Sequence, residues 1–331
     1  MIRVPYQDVV ATLAGALVRL GLGAEDAALS ARLFADASRD GVHSHGVRRF
    51  PRFVEMVQTG AVDIAARAEP VTRHGPVERW DGRRGPGNVN AYRCMARAIE
   101  LARSHGIGCV ALANTSHWMR GGSYGWQAAE AGVIGVCWTN TMPNLPPWGA
   151  KEPRLGNNPL VIAVPRAAGH VVLDTAMSQF SFGALEAYRL RGELLPVDGG
   201  YDADGALTRD PAAIEETGRV LPIGYWKGSG LSLMLDLVAA TLSGGRATHE
   251  IAPDPMREAG VSQLFLAVDP AALGPAAVAE ETVERVIAHF RGDAPGESVR
   301  YPGERVLRDR EESMAAGVLV DPLVWERILA L

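Results

Sequence analysis

Apolar residues recur at helical spacing through the first sixty residues of the chain. In residues 5–20 they fall three or four positions apart, and Gly21 follows the run, which predicts a helix that ends there. The same spacing predicts helices over residues 25–38 and 47–59. We therefore predict a helical N-terminal region.

Short apolar runs alternate with amphipathic segments in the rest of the chain, after a change of pattern in residues 75–88. This alternation is typical of an α/β fold. Asn88 is a suitable cap for a helix that runs to His105. The predicted strands cover residues 107–113, 133–138, 160–164, 170–174 and 262–268. The other predicted helices cover residues 122–131, 183–191, 229–243, 277–291, 304–316 and 321–330.

Two long segments lack either periodicity and are predicted to be loops. Residues 139–158 are rich in Pro, Asn and Gly, and residues 196–220 carry Asp, Gly and Pro. Long ordered loops on a rigid scaffold often carry function. For the domains, we expect a helical region over residues 1–70 packed with residues 304–331, and an α/β region over residues 71–303 that binds cofactor and substrate.

Composition excludes several classes of protein. The chain has 331 residues, 47% of them hydrophobic, which is enough for a large core. Its formal net charge is −5 and no run of like charge resembles a nucleic-acid-binding arm. Cys94, Cys109 and Cys137 form no CxxC pair, which argues against a disulfide framework and a zinc site. With no apolar run of signal-peptide or transmembrane character, we expect a cytoplasmic protein that binds neither membranes nor nucleic acid.

A dense polar stretch at residues 39–50 suggests chemistry. His45 can transfer a proton near neutral pH, Ser44 can hydrogen-bond beside it, and Gly46 allows a close backbone approach. A helix that begins near Gly46 would place Arg49 one turn past His45, as a clamp for a carboxylate. A capped helix start with solvated side chains would give the same pattern, and this stretch alone favours that simpler interpretation.

Other polar stretches stand beside predicted strands and helices. His117 and Gly122 follow a predicted strand, where α/β proteins place ligands, although a glycine-rich connection with a buried histidine would look similar. Asp174 ends another strand and could orient a histidine or cap a helix. Because His43 and His45 are two positions apart, an extended backbone would point them to opposite faces, and we expect no metal site.

A possible phosphate site precedes the apolar helix over residues 229–243. The chain has 33 Lys and Arg residues, of which only Lys151 and Lys227 are lysines. Lys227 stands in the sequence Tyr-Trp-Lys-Gly-Ser-Gly, and free N–H groups at a helix start bind anions. No GxGxxG motif occurs, so a nicotinamide cofactor would have to be held by a fold other than Rossmann.

These motifs together resemble the malate/L-lactate dehydrogenase family of non-Rossmann nicotinamide oxidoreductases, over nearly the whole chain. Ser44-His45-Gly46 with Arg49, the segment after His117, and Asp174 carry the resemblance. It implies the α/β fold of that family and of L-sulfolactate dehydrogenase, with a mixed sheet. It also implies a homodimer with the active site at the interface, and hydride transfer from NADH, with NADPH as the alternative, to a keto group of a sugar-derived 2-oxo acid.

The resemblance also implies roles for individual residues. His45 would donate the proton, Asp174 would orient a histidine, and Ser44, Arg49 and His117 would bind the substrate. At Gly303-Glu304-Arg305 the chain departs from the Gly-His-Glu that the resemblance leads us to expect. The implied cofactor-binding residues are His170, Val171, Val172, Leu173, Asp174, Thr175, Ala176, Trp226, Lys227, Gly303, Glu304 and Arg305.

Two alternative functions remain at this point. One is a reductase of another 2-oxo acid or of a cyclic imino acid, with the same fold. The other is a nucleotide-binding protein that has lost its catalytic activity. The presence of His45, Asp174 and Lys227 together argues against the second alternative.

Overall fold

A seven-stranded mixed sheet forms the centre of the protein in the computed structural model, which describes residues 1–292 and 299–331. The strands are β1 (Ile2–Val4), β2 (Glu69–His74), β3 (Val77–Asp81), β4 (Ile107–Ser116), β5 (Ile134–Thr139), β6 (Leu160–Val164), β7 (Val171–Thr175), β8 (Gly200–Tyr201), β9 (Leu207–Thr208), β10 (Ala259–Val268) and β11 (Val318–Val320). The helices are α1 (Tyr6–Arg19), α2 (Ala24–Arg39), α3 (Phe50–Gln58), α4 (Gly87–His105), α5 (Gly122–Glu130), α6 (Phe182–Arg191), α7 (Pro211–Thr217), α8 (Trp226–Ser243), α9 (Ala276–Arg291), α10 (Glu304–Ala316) and α11 (Pro322–Leu329).

The strand order in the large sheet is β2-β3-β4-β10-β5-β6-β7. Strands β3 and β4 are parallel, and the other neighbouring strands are antiparallel. This arrangement confirms the predicted α/β class with a mixed sheet. Strand β7 is one edge of the sheet, which leaves its backbone groups available for contacts outside it.

The two central strands are buried on both faces. Val110 and Phe265 pack with α4 and α5 on one face, while Ala111 and Leu264 pack with α8 on the other. Side chains alternate between the faces of a strand, so a strand covered on both sides must be apolar throughout. This explains why the sequence of β4 and β10 has no polar alternation.

The N-terminal helices form a second core around three phenylalanine rings. Phe34 lies 5.3 Å from Phe50 and 5.6 Å from Phe53, measured between ring centroids. Strand β1 pairs antiparallel with β11, and Ile328 of α11 packs into the same core. The end of the chain therefore packs against its beginning, while the domain boundaries at residues 70 and 303 stay a prediction.

The helix predicted over residues 47–59 is shorter than expected. Two 3-10 turns, His43–His45 and Val47–Arg49, precede α3, and Gly46 separates them. A Cβ atom at Gly46 would lie 2.1 Å from Ser38 Oγ, so only glycine allows this close approach to α2. The predicted helix is an α-helix over Phe50–Gln58, while its first turn, Val47–Arg49, is a 3-10 turn.

Three other local predictions need correction. Asn88 does not cap α4: the helix begins at Gly87, and the buried Asn88 amide donates to Ser30 Oγ at 2.9 Å. Residues 196–220 are not all loop, since they contain β8, β9 and α7, which Asp210 caps by accepting from Ala212 N–H. The hairpin of β2 and β3 was missed because the edge strand β2 is exposed throughout and lacks an apolar face.

A buried carboxylate connects the N-terminal helices to the rest of the protein. The Asp40 side chain is 1% exposed and pairs with Arg39, Arg120 and Arg310 at distances of 2.7 to 2.9 Å. Burial alone would raise the pKa of Asp40, but the hydrogen bonds and charges of these arginines hold that pKa well below its usual range. Asp40 therefore remains ionised and joins α2 to α10 and to the segment before α5.

We expect Asp40→Asn to lower the free energy of unfolding by about 3 to 5 kcal/mol, because it leaves the buried Arg120 without its counter-charge. Urea unfolding monitored by circular dichroism measures this change. Glu312→Gln, which breaks an exposed pair with Arg3, is the matched control and should cost less than about 1 kcal/mol. Equal stability losses in the two variants would contradict the assigned role of Asp40.

Candidate active site

A cleft of about 1430 Å³ lies between the N-terminal helices and the β7 edge of the sheet. It brings together residues that are far apart in the sequence. The predicted site residues that line it are Ser44, His45, Arg49, His117, Val172, Leu173, Asp174, Ala176 and Gly303. The predicted site residues that do not line it are His170, Val171, Thr175, Trp226, Lys227, Glu304 and Arg305.

Two histidine rings stand next to each other in the cleft. His45 comes from the 3-10 turn before Gly46, and His117 follows directly after β4. The ring centroids are 5.7 Å apart and the ring planes differ by 21°. Two elements that are about seventy residues apart in the sequence therefore present one pair of imidazoles to the same space.

The hydrogen bonds of the two histidines give them different chemistry. His117 Nδ1 accepts from the Met119 N–H at 2.9 Å, so its neutral ring carries a proton on Nε2, and protonation would disrupt this bond. His45 Nδ1 lies 2.8 Å from Ser44 Oγ, and a hydroxyl can either donate or accept. His45 can therefore gain and lose a proton without losing its partner, whereas His117 is suited to donating a hydrogen bond.

The electrostatic environment keeps His45 neutral. Burial is the largest cause that lowers the pKa of His45, and together with the positive charges of Arg49 and Arg120 it brings this pKa to about 4. Burial and Arg49 also hold the pKa of His117 well below its usual value. The expectation that His45 titrates near neutral pH was therefore wrong, because the sequence shows neither the burial nor the two guanidinium groups.

Arg49 is a half-buried cation with no ion pair within residues 1–292 and 299–331. Burial lowers the pKa of Arg49 to about 10, the nearby Arg52 acts in the same direction, and Glu258 opposes them. The group nevertheless stays charged at neutral pH. A desolvated guanidinium without a partner is a strong site for a carboxylate ligand.

Asp174 contacts a helix start and not a histidine. Its Oδ2 accepts from the Gly122 N–H at 2.8 Å, which satisfies a free donor at the beginning of α5. Burial raises the pKa of Asp174, while Arg120 and the Gly122 N–H oppose the rise. This corrects the expectation that Asp174 orients a histidine, since the two rings of the cleft bond to Ser44 and Met119 instead.

The two segments predicted to hold the cofactor lie side by side. The Val172 N–H on the edge strand β7 donates to Pro302 O at 2.9 Å. Gly303 has φ +93°, and a Cβ atom there would lie 3.0 Å from Val172 N. Glu304 and Arg305 are directed elsewhere, because Glu304 bonds to Arg291 and the Tyr301 N–H, and Arg305 pairs with Asp309 at 3.2 Å.

Trp226 and Lys227 begin α8 on the surface, outside the cleft. Tyr225 has φ +61°, which turns the chain so that the Gly228 N–H donates to Ile223 O at 2.9 Å and the Lys227 N–H donates to Gly224 O at 3.3 Å. Two of the N–H groups predicted to bind a phosphate are therefore already used by the backbone. This helix start therefore offers fewer free N–H groups to an anion than the sequence predicted.

Sequence reasoning assigned no site role to several charged residues of the cleft, among them Arg52, Arg120 and Glu258. Arg52 stands three residues after Arg49 on the same helical face, a signal that could have been found. Glu258 could not have been found in this way, because only the pairing of β10 with β4 places it near His117.

Comparison with known proteins identifies the family of the chain. The malate/L-lactate dehydrogenase family matches residues 4–329. The chain belongs to the malate/L-lactate dehydrogenase family. This confirms the predicted resemblance, and the chain is an oxidoreductase of that family. None of the helices in the described residues combines the length and apolar character needed to cross a membrane.

Three members of the family illustrate the relationship. The chain is 45% identical to the 2,3-diketo-L-gulonate reductase of Citrobacter koseri over 99% of this chain and all of that protein. The sulfolactate dehydrogenase of Methanocaldococcus jannaschii is 27% identical, with a TM-score of 0.92 over 100% of this chain and 98% of the other. The Δ1-piperideine-2-carboxylate reductase of Pseudomonas syringae is 31% identical, with a TM-score of 0.89 over 100% and 99%. The predicted fold of this family is thereby confirmed.

We expect the acid limb of kcat/KM, measured in the direction of hydroxy-acid oxidation, to lie well below the ordinary histidine pKa of about 6.5. In this direction the neutral His45 ring would act as the base, and burial with the charges of Arg49 and Arg120 keeps this ring neutral down to about pH 4. The rate should therefore hold through neutral pH and fall only in strongly acidic buffer. A limb centred near pH 6.5 would contradict this assignment of the environment of His45.

Proposed function

We propose that this protein reduces a keto group of a sugar-derived 2-oxo acid with NADH, and that 2,3-diketo-L-gulonate is the specific substrate. The observation that carries the proposal is the unpaired guanidinium of Arg49 next to the His45 and His117 rings in one cleft. The identity of 45% to a 2,3-diketo-L-gulonate reductase along the whole chain supports the choice of substrate.

The cleft has suitable space and chemistry for a nicotinamide cofactor. Its volume of about 1430 Å³ exceeds the usual range of roughly 300 to 1,000 Å³ for small-ligand pockets, which leaves room for a dinucleotide with a substrate. Arg120 Nε is buried there without a hydrogen-bond partner. A Cβ atom at Gly122 would lie 2.9 Å from Asp174 Oδ2, so glycine keeps this wall open. Val172, Asp174 and Gly303 would hold the cofactor, which supplies a hydride when bound.

The side chains of the cleft divide the remaining work. Arg49 binds the substrate carboxylate through its planar fork. The neutral His117 donates a hydrogen bond from Nε2 to the keto oxygen, which lies beside that carboxylate. His45 gives its proton to this oxygen as negative charge develops, while Ser44 Oγ stays bonded to Nδ1 and keeps the ring oriented. The substrate's own negative charge offsets that of Arg49 and so makes protonation of His45 easier.

We assign NADH as the cofactor, with NADPH as the alternative. Recognition of a 2′-phosphate needs an available cation, whereas a ribose 2′-hydroxyl suits an acidic neighbour. Arg305, the first cation after Gly303, is already paired with Asp309 at 3.2 Å and so is not available to a 2′-phosphate. The three cysteines are free and buried, which agrees with our assignment of the protein to the reducing cytoplasm.

A cyclic imino acid is the second candidate substrate class, because the chain is 31% identical to a Δ1-piperideine-2-carboxylate reductase over its whole length. Both substrate classes carry a carboxylate next to the carbon that receives hydride. Oxidation of NADH with diketogulonate, pyruvate and a cyclic imino acid distinguishes the candidates. The highest kcat/KM should be found with diketogulonate, and a highest value with the imino acid would favour the alternative.

We also propose a homodimer formed through α8. One face of this helix carries the exposed apolar side chains Trp226, Leu233, Met234 and Leu237, which fall within one stripe at helical spacing. A continuous exposed apolar stripe on a monomer is unusual and marks an interaction surface. Since Trp226 and Lys227 lie outside the cleft of their own chain, we propose that they serve the cofactor site across this interface.

We expect the double variant Met234→Glu/Leu237→Glu to be monomeric in light scattering and to bind NADH at least about tenfold more weakly, because each copy then lacks Lys227 of its partner. Leu273→Glu adds a charge at an exposed apolar residue away from α8 and should change neither property. A fully active monomeric wild-type protein would contradict the proposal.

We expect His45→Gln to lower kcat for keto-acid reduction by at least about 10²-fold while NADH affinity stays unchanged, because the proton donor is lost. Arg49→Lys should mainly raise KM for the acid, since lysine cannot reproduce the fork that holds a carboxylate. Steady-state kinetics and NADH fluorescence titration measure both effects. Near wild-type kcat in His45→Gln would move the donor role to another group, with His117 as the next one to test.

A further inference from the structure

Two further charged groups line the cleft beside Arg49, and the chemistry described above does not use them. They are the guanidinium of Arg52 and the carboxylate of Glu258. Neither residue forms an ion pair within 4.0 Å in the part of the chain that the structure describes, residues 1–292 and 299–331. Charged groups in a partly buried cleft are normally paired. Their lack of partners therefore indicates a ligand.

The fold brings these two residues, which are far apart in the sequence, to the same cleft. Arg52 lies on α3, one turn after Arg49. Glu258 directly precedes β10, and Ala259 pairs with Ser116 of β4, so Glu258 lies next to the segment that carries His117. The turn before Glu258 packs against the N-terminal core through Met256. Both groups therefore have fixed positions around the same space.

Each of the two groups has hydrogen-bonding capacity that the protein does not use. Arg52 Nε and one terminal nitrogen of Arg52 are buried without a hydrogen-bond partner. Glu258 is 6% exposed, and its Oε1 accepts a long hydrogen bond of 3.5 Å from the Met142 N–H. Leaving buried donors and acceptors unsatisfied is costly. A ligand that donates to Glu258 and accepts from Arg52 would satisfy both.

We propose that Arg52 and Glu258 form a selectivity subsite that favours hydroxylated monocarboxylic 2-oxo acids over dicarboxylic ones. This inference rests on the proposed function, and it assigns the chemistry of the substrate beyond its first carboxylate. A hydroxyl group can donate to Glu258 and accept from Arg52, whereas a second carboxylate can only accept and is repelled by Glu258.

The charges of the cleft agree with this selectivity. Around this subsite, the guanidinium groups of Arg49 and Arg52 and the carboxylate of Glu258 carry one net positive charge, which matches a single substrate carboxylate. Other charged residues of the cleft neutralise each other in the pairs Arg48–Glu186 and Arg189–Glu215. Burial raises the pKa of Glu258, but Arg49 and Arg52 oppose the rise and favour the ionised form. Removing the charge of Glu258 would leave two positive charges, an environment suited to a dianion.

The test compares kcat/KM for diketogulonate, oxaloacetate and pyruvate in Glu258→Gln and in the wild-type protein. Glutamine keeps the shape of the side chain and removes its charge. We expect the ratio of diketogulonate to oxaloacetate to shift toward oxaloacetate by about tenfold or more. Glu55→Gln is the matched control, because Glu55 is an exposed carboxylate on α3 outside this cleft. In this variant the ratio of kcat/KM for diketogulonate to that for oxaloacetate should stay at the wild-type value.

Arg52→Gln provides an independent measurement, also valid if Glu258→Gln does not fold. It should raise KM for diketogulonate by about tenfold and change KM for pyruvate, which lacks the hydroxylated chain, by less than about twofold. An equal increase in KM for diketogulonate and pyruvate in Arg52→Gln would overturn the inference. An unchanged ratio of kcat/KM for diketogulonate and oxaloacetate, in a Glu258→Gln variant that folds and binds NADH, would also overturn it. A wild-type protein that reduces none of the three acids would overturn the proposed function itself, and the subsite with it.

Discussion

The positive charge of Arg49, held partly out of water beside His45, is the interaction on which the chemistry of the cleft depends. Burial of a cation without a counter-ion is unfavourable, and here the carboxylate of Glu258 does not approach within ion-pair distance. Burial of the His45 ring, reinforced by the same positive charge, keeps His45 neutral in the free protein. In our account, a bound substrate carboxylate pairs with Arg49 and neutralises its buried charge. The same carboxylate restores the ability of His45 to hold a proton.

This arrangement needs rigid support, because the site is assembled from segments far apart in the chain. Asp40 supplies part of it by joining α2 to Arg120, next to the glycines at the start of α5, and to Arg310 of α10. Asp174 then satisfies the first N–H group of α5 from the facing edge strand. The N-terminal region carries His45 and Arg49, and the sheet side of the cleft carries His117 and Asp174. The ion pairs of Asp40 and the hydrogen bond of Asp174 fix the positions of these two sides relative to each other.

The parts of this account that could be predicted from sequence are those with local signals. Helical periodicity predicted α1 and α2 to within a residue or two, and the order of strands and helices predicted the α/β class. Ser44, His45 and Arg49 were found because they are close together in the sequence. The lowered pKa of His45 could not be predicted, because burial and the approach of Arg120 are properties of the folded chain.

Errors arose where a non-local contact replaced a local preference. Asn88 has the chemistry of a helix cap, yet its amide bonds to Ser30 of another helix. The turns on either side of Gly46 are 3-10 and not α-helical, and Gly46 itself lies closely against Ser38 of α2. Glu258 gave no signal at all, since the register of β10 against β4 is what places it in the cleft.

The central claim is that an anion bound at Arg49 controls the proton on His45. NMR titration of isotope-labelled histidine, with and without oxamate as an unreactive 2-oxo-acid analogue, tests it directly, with His45→Gln used to assign the signal. The account predicts a neutral His45 ring at pH 6 in the free protein, with a pKa well below the ordinary value of about 6.5, and an increase in that pKa when oxamate binds. An ordinary pKa in the free protein that does not change on binding would contradict it.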